Sequence, residues 1–296
     1  MTWIAWRVQR PQYIALGAAV LALVAWLLAS AASGTSSWAQ SSSGADLYVM
    51  TALPGVLGLA FGCPLVASEL EQKTNRLAWT QGIGRTNWFG KKVLIVGVVV
   101  CALAGLLVPL LDWWSGAVGD GPDVVPKMFD VTGIVLVGYT MFAYGLGVFL
   151  GTIIRRAGWA FAAGVPIFAA VRLLVGGVRS TLVAPSTKVL ASEGSPPSGW
   201  LLHGAFLPLG RTTPTSGQSW LGTWGHISKG LSACLNSANS DTSAARCAAA
   251  SHVHYVWQYQ PQSHYWALQG TETAVFFGAT AVCLGLATLA VRHVNG

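Results

Sequence analysis

Gly84-Arg85-Thr86-Asn87-Trp88-Phe89-Gly90-Lys91-Lys92 is the first run in which spacing suggests chemistry, because its glycines and lysines superficially resemble a phosphate-binding loop. Such a loop needs four residues between its glycines to wrap a phosphate and a Ser or Thr after its lysine to hold magnesium. Here five residues separate the glycines, Lys92 stands where the hydroxyl belongs, and no buried strand leads into the turn. ATP binding by this chain is therefore not expected. His252-Val253-His254 with His264 offers three imidazoles, but no convincing further ligand completes a metal site. The preferred reading there is packing of Tyr255, Trp257, Tyr259, Tyr265 and Trp266 at an interface. Neither HExxH nor GxSxG occurs, so hydrolysis has no candidate machinery. The chain is expected to be no enzyme and to carry no metal or cofactor of its own.

The elements that must position these residues are set by composition. Of 296 residues only 9% are charged while 53% are apolar, and mean hydropathy is +0.54. A charged share near a third of the usual one cannot clothe a water-facing surface. This excludes a soluble enzyme, a disordered tail and a nucleic-acid partner. Crossing a hydrocarbon core takes about 20 apolar residues, and six runs qualify: Tyr13–Ala32, Leu47–Ala67, Val93–Leu111, Val131–Ile154, Trp159–Val178 and Thr273–Val291. The first is too long for the apolar core of a signal peptide and is expected to remain as a span. The expected fold is an all-α polytopic membrane protein with six transmembrane helices and both termini on one side. Residues 1–12 form an amphipathic interfacial helix, and 13–178 hold helices 1–5 with an inner loop at 68–92. Residues 179–269 form an extracellular insertion of roughly 90 residues, and 270–296 hold the sixth helix and a short tail.

Charge assigns the sides. Arg7, Arg10, Lys73, Arg76, Arg85, Lys91, Lys92, Arg155, Arg156 and Arg292 fall on one side with only Glu69 and Glu71, whereas seven basic and eight acidic residues share the other. By the positive-inside rule the first side is cytoplasmic, in a plasma membrane whose anionic inner-leaflet lipid favours it. The net charge of +7 thus reports orientation and contact with membrane lipid. Cys63, Cys101 and Cys283 lie in spans, where a thiol acts as a small apolar group. Cys234 and Cys247 both fall in the large outer loop, an oxidising setting in which they are expected to form a disulfide. In the same loop, Trp200-Leu201-Leu202 and Ala205–Leu209 suggest contact with the outer leaflet or a short re-entrant element.

Polar groups inside a bilayer are functional candidates because they are costly there. Arg172 is the main one, in the outer third of the fifth span, where it can snorkel or meet Glu272 at the outer start of the sixth. No Asp, Glu or His falls near mid-membrane, which argues against an ion-coupled secondary transporter. Gly58 and Gly62, and again Gly147 and Gly151, form small-xxx-small steps that suit close helix contact. The same residues could also serve a span that bends and slides at a subunit interface.

The inner loop Ser68–Lys92 begins as a charged continuation of the second span, adds Leu77 and Trp79, breaks at Gly82 and Gly84, and resumes as a second amphipathic stretch. It resembles the first cytoplasmic loop of ABC-transporter permeases of the ABC-2 type: an acidic-basic stretch, an apolar step, then a small-residue turn with Arg, an aromatic and Lys. Those features fall here on Glu69, Glu71, Thr74, Leu77, Arg85, Trp88 and Lys92. The opening Met1–Arg7 and the closing Tyr259–Glu272 are similar to an actinobacterial-type branch of the same permeases.

That resemblance implies a half-transporter in which two six-helix subunits, identical or paralogous, pair above separate ABC ATP-binding subunits. ATP and magnesium would sit on those partners. Glu69, Glu71, Lys73, Thr74, Arg76 and Leu77 would make the coupling helix that carries ATP-driven closure into the spans. An amphipathic or apolar compound would leave by alternating access along a path including Phe61, Phe168, Arg172 and Glu272. A non-transporting sensor or resistance scaffold built on the external segment is the competing reading.

Overall fold

The computed structural model describes residues 45–71, 85–118, 123–190, 197–208, 210, 233–234, 236–237 and 241–292. The expected N-terminal helix, the first span and the middle of the inner loop, including Lys73, Thr74, Arg76 and Leu77, lie outside the described residues. Among the described residues five helices are long and apolar enough to cross a membrane, as a polytopic membrane protein requires. They are α1 (Ala45–Glu71), α2 (Arg85–Val118), α4 (Val135–Ile154), α5 (Ala157–Leu182) and α7 (Tyr265–Arg292), and a single turn, α3 (Pro126–Phe129), precedes α4.

α1 and α2 outrun their apolar windows, and the flanking residues of α2 suit an interface. In α2, Trp88 and Trp113 lie 25 residues apart, about 38 Å at 1.5 Å per residue. That separation is close to a hydrocarbon core with part of its headgroup layers. Lys92 reaches back over the Trp88 ring, 5.7 Å from its centroid. Trp113, Trp159 and Trp266 are exposed near the ends of α2, α5 and α7, where an indole belt belongs.

The bundle is organised around α4. Fifteen of its twenty residues are buried, against four identified in α5, so α4 is the axis and α5 a peripheral helix with a wide outward face. The α1–α4 contact follows from glycine. A Cβ at Gly58 or Gly62 would fall on the backbone of Thr140 or Tyr144, one at Gly147 would lie 2.9 Å from the Cys63 nitrogen, and one at Gly151 2.7 Å from the Cys63 oxygen. The two small-xxx-small steps therefore face each other within the chain, and the register advances in the same direction on both helices, so α1 and α4 run parallel. With little hydrophobic drive between helices in lipid, such backbone proximity supplies the packing. Gly138 and Gly145 meet Thr273 and Thr280 in the same sense, which makes α7 parallel to α4 as well. Phe142 stacks on Phe168 of α5 at 6.0 Å and meets Phe276 of α7 at 5.5 Å. The Tyr144 hydroxyl donates to the Val93 carbonyl of α2 at 2.7 Å.

These directions gather Lys91, Lys92, Arg155, Arg156 and Arg292 at one end of the bundle, the basic end. Between α5 and α7, the all-α expectation gives way to an antiparallel sheet of β1 (Ser186–Leu190), β2 (Trp200–Pro208) and β3 (Val253–Gln260), in the order β1-β3-β2. Trp200–Leu202 and Ala205–Pro208, expected against the leaflet or re-entering it, form β2, and pairing with β3 satisfies their backbone. Gly204 is required there, since a Cβ would sit 2.6 Å from both the Trp257 ring and the Tyr255 hydroxyl. The helix α6 (Asp241–Ala250) covers one side, its Cys247 joined to Cys234 by the expected disulfide across a Cα separation of 5.8 Å. Cys247 and Ala248 pack on Phe206 and Tyr255, whose rings meet edge to face at 4.8 Å.

Gly62→Ala is expected to destabilise the detergent-solubilised protein by roughly 1–3 kcal/mol, because its methyl must displace backbone. Gly105→Ala, with nothing within 4 Å of the added carbon, should be neutral or slightly stabilising. Thermal unfolding of the two variants side by side checks the contact; equal melting would refute it.

Candidate functional site

At the sheet end of the bundle, five polar side chains from three helices and a turn converge in otherwise apolar surroundings. Two arginines come from α5, seven residues apart and thus on one helical face: Arg172 and Arg179. Glu272 comes from the second turn of α7, Tyr139 from α4, and Asp130 from the turn between α3 and α4. The side chains of Arg179 and Glu272 are 3% and 0% exposed, so neither charge is hydrated.

Arg179 is the hub. Its Nε donates to Glu272 Oε2 at 2.6 Å and its Nη2 to Glu272 Oε1 at 3.0 Å, a two-pronged guanidinium–carboxylate pair. Nη2 also reaches Asp130 Oδ1 at 2.5 Å and the Tyr139 hydroxyl at 3.0 Å. The guanidinium lies over the Phe129 ring, 4.4 Å from its centroid. The Tyr139 hydroxyl sits 2.7 Å from Glu272 Oε1 and 3.1 Å from Asp130 Oδ1. With one proton to give, it serves the two carboxylates in alternation while accepting from Arg179. Arg172 stands over the Tyr139 ring at 4.2 Å, lies 3.5 Å from Asp130 Oδ2, and donates to the Thr51 carbonyl of α1. Two cations balance two carboxylates, so the cluster is neutral as a whole.

A second polar layer holds these elements in place. Gln269, fully buried one turn before Glu272, accepts from the Val135 N–H at 2.8 Å and donates to the Phe129 and Thr132 carbonyls. It thereby supplies a cap that α4 lacks from its own flanking side chain. Gly133, at φ 75°, turns the chain so that its N–H meets Asp112 Oδ1 at 3.0 Å, and a side chain there would strike Tyr265 and Gln269. Gln262 accepts from the Val124 N–H. Gln260, at the end of β3, donates to the Ser180 and Val183 carbonyls at the end of α5, and its oxygen faces His264 Nδ1 at 2.8 Å. The sheet is thus fastened to α5 and α7 directly above the charges.

Sequence reasoning placed Arg172 and Glu272 near each other, and both belong to this cluster. They are not each other's partner: Glu272 is taken by Arg179, and Arg172 turns inward to Asp130 instead of snorkelling. Arg179, Asp130 and Tyr139 were missed as site residues. The apolar run puts Arg179 just past the end of the fifth span at Val178, but α5 continues to Leu182. The signal was the seven-residue spacing of two arginines on an otherwise apolar helix. Phe61 and Phe168 lie elsewhere, the first packed beside the α2 contacts and the second buried against Phe142, where a Cβ at Gly55 would strike it. Glu69 and Glu71 fall in the last turn of α1, at the basic end. His254 is buried and His264 is engaged by Gln260; among the described residues no three His, Cys, Asp or Glu side chains converge.

Removing one partner of a buried ion pair strands the other charge. Arg179→Met should therefore cost about 3–5 kcal/mol, while Arg179→Met with Glu272→Met should recover much of that loss. Arg172→Gln, at a position with a longer ion-pair contact, should cost less. Thermal unfolding and the yield of monodisperse protein in detergent measure all three, and additive losses in the double variant would contradict the pairing.

Residues 29–179 match a family model described as ABC-2 membrane transporter related. The matched segment contains Asp130, Tyr139, Arg172 and Arg179, and ends before the sheet and α7. No curated protein and no solved structure matches the chain significantly.

Proposed function

This chain belongs to the ABC-2 membrane transporter-related family, and on that premise we propose that it is the membrane-spanning permease subunit of an ATP-driven exporter. The family match over half the chain carries the reading, since it spans four of the five described membrane helices together with the loop that joins α1 to α2. Membership implies an ATP-binding partner in general terms. The proposal assigns ATP and magnesium to separate ABC ATP-binding subunits docked on the basic end, which is cytoplasmic, and pairs the chain with a second permease subunit. The sheet then lies outside the plasma membrane.

Coupling runs through α1. Its apolar stretch ends at Ser68, but the helix continues to Glu71, so Glu69 and Glu71 stand on a rigid extension beyond the span. With Lys73, Thr74, Arg76 and Leu77 they form the contact with the motor. Because α1 is locked to α4 at four glycines, a push on that extension moves both helices together. At the far end α4 carries Tyr139 into the charge cluster. ATP binding shifts the equilibrium between inward- and outward-facing states only insofar as nucleotide binds them unequally. The closed cluster holds the outer end together in one state, and its opening accompanies release of an amphipathic or apolar cargo. Arg172 and Glu272 then act in this clasp, with Phe61 and Phe168 as packing beneath it.

The competing reading, a sensor or resistance scaffold, draws on the disulfide-held sheet. Purification in mild detergent separates them, since an exporter subunit brings down an ATP-binding chain in about equal amount. Glu69→Arg with Glu71→Arg should leave the protein folded while abolishing cargo-stimulated ATP turnover. Unchanged turnover and transport in that variant would remove the coupling role.

A further inference from the structure

We propose that the turn between α4 and α5 is a binding site for the headgroup of an anionic phospholipid. The site stands on this chain's own residues and does not depend on the transport reading. Ile154, Arg155, Arg156, Gly158 and Trp159 line a cleft of about 570 Å³ at the basic end. Both arginines are exposed, and neither has a carboxylate in ion-pair range among the described residues. At the sheet end, by contrast, Arg172 and Arg179 both lie within ion-pair range of a carboxylate. Two guanidinia on consecutive residues, unpaired among the described residues, can meet a phosphodiester with charge-assisted N–H donors, which a zwitterionic headgroup would oppose with its own cation.

The backbone adds a second observation. Arg155 occupies the left-handed region at φ 57°, donating its N–H to the Gly151 carbonyl to end α4. That conformation costs an L-residue roughly 1–2 kcal/mol and is ordinarily given to glycine or asparagine. An arginine there sacrifices turn stability, and the return is a cation held at the rim of the cleft. The apolar lining fixes the class of ligand. Ile154 and the indole of Trp159, 67% exposed, continue the cleft onto the outward face of α5, where Val165, Ile167, Leu173 and Leu174 are also exposed. A headgroup phosphate at the arginines would thus have its acyl chains laid along α5, as a soluble phosphate would not. The first turn of α5 contains no acidic residue to repel it.

The full chain in mild detergent, titrated with phosphatidylglycerol or phosphatidylcholine and read by native mass spectrometry, tests this. Wild type should retain phosphatidylglycerol at least about tenfold better than phosphatidylcholine, the range expected for two charge-assisted contacts. Arg156→Gln, at an exposed residue in extended backbone, should remove most of that preference without changing retention of phosphatidylcholine. Arg155→Gly should do the same while melting at an equal or higher temperature, a pairing of effects that a purely structural arginine would not produce. Undiminished preference in both variants, or equal loss of both lipids, would overturn the site. Displacement of the lipid by millimolar inorganic phosphate would overturn the lipid as its ligand and leave a phosphate site.

Discussion

A guanidinium that stays protonated at any physiological pH cannot be buried in hydrocarbon unless its charge and its donors are met at the same place. Arg179 satisfies that condition, and much of the sheet end follows from it. Glu272 must enter the bundle to meet its Nε, which requires α7 to begin at Tyr265, well before its apolar core. Asp130 must reach Nη2, which requires the α3–α4 turn to fold inward. Tyr139 must supply the remaining oxygen, which fixes the rotation of α4. Each of these demands exposes new backbone groups to burial, and Gln260, Gln262 and Gln269 meet them. Three amide side chains within ten residues of one another are therefore the consequence of one buried cation.

The other half of the architecture rests on a different kind of contact. Between α1 and α4 no charge is involved, and proximity itself does the work, with backbone against backbone at Gly58, Gly62, Gly147 and Gly151. Such an interface has little tolerance for sliding, because each glycine faces a carbonyl or amide that a small displacement would bring into collision. Two helices joined in this way transmit force as one body. The small-xxx-small steps thus face each other within the subunit, which is the close helix contact that they suit.

How much of this could be read from the chain depended on the range of each interaction. Apolar runs gave the spans that fall within the described residues, since span length is set by the bilayer and not by tertiary context. The glycine steps were visible for the same reason: their meaning is local. The disulfide was legible because only two cysteines lie outside the spans. Helix ends were harder. Arg179 reads as the end of a span under a rule that treats charge as an interface marker, and the rule fails when a partner from residue 272 neutralises it. The sheet was hidden more deeply. Trp200–Pro208 is apolar enough to pass for a membrane-seeking segment, and its partner Val253–Gln260 lies beyond the whole of residues 209–252. Nothing in the nearer sequence announces that partner.

The two clusters of arginine also explain why α5 is placed as it is. Four of its residues are identified as buried, and the deepest polar one lies at the sheet end. There the helix is held by the three ion pairs of Arg172 and Arg179 and by Gln260 at its last carbonyls. Lower down it is held by Phe168 between Gly55 and Phe142, and by Gly164 against Leu59. Beyond Ala160, toward the basic end, its contacts thin out: Gly158 has open space, Trp159 is exposed, and among the described residues Arg155 and Arg156 form no ion pair. Three of the four identified buried residues, Ala160, Gly164 and Phe168, thus lie in the basic half of α5 and Arg179 anchors its sheet end, so the helix is held to the bundle at both ends by contacts of different kinds.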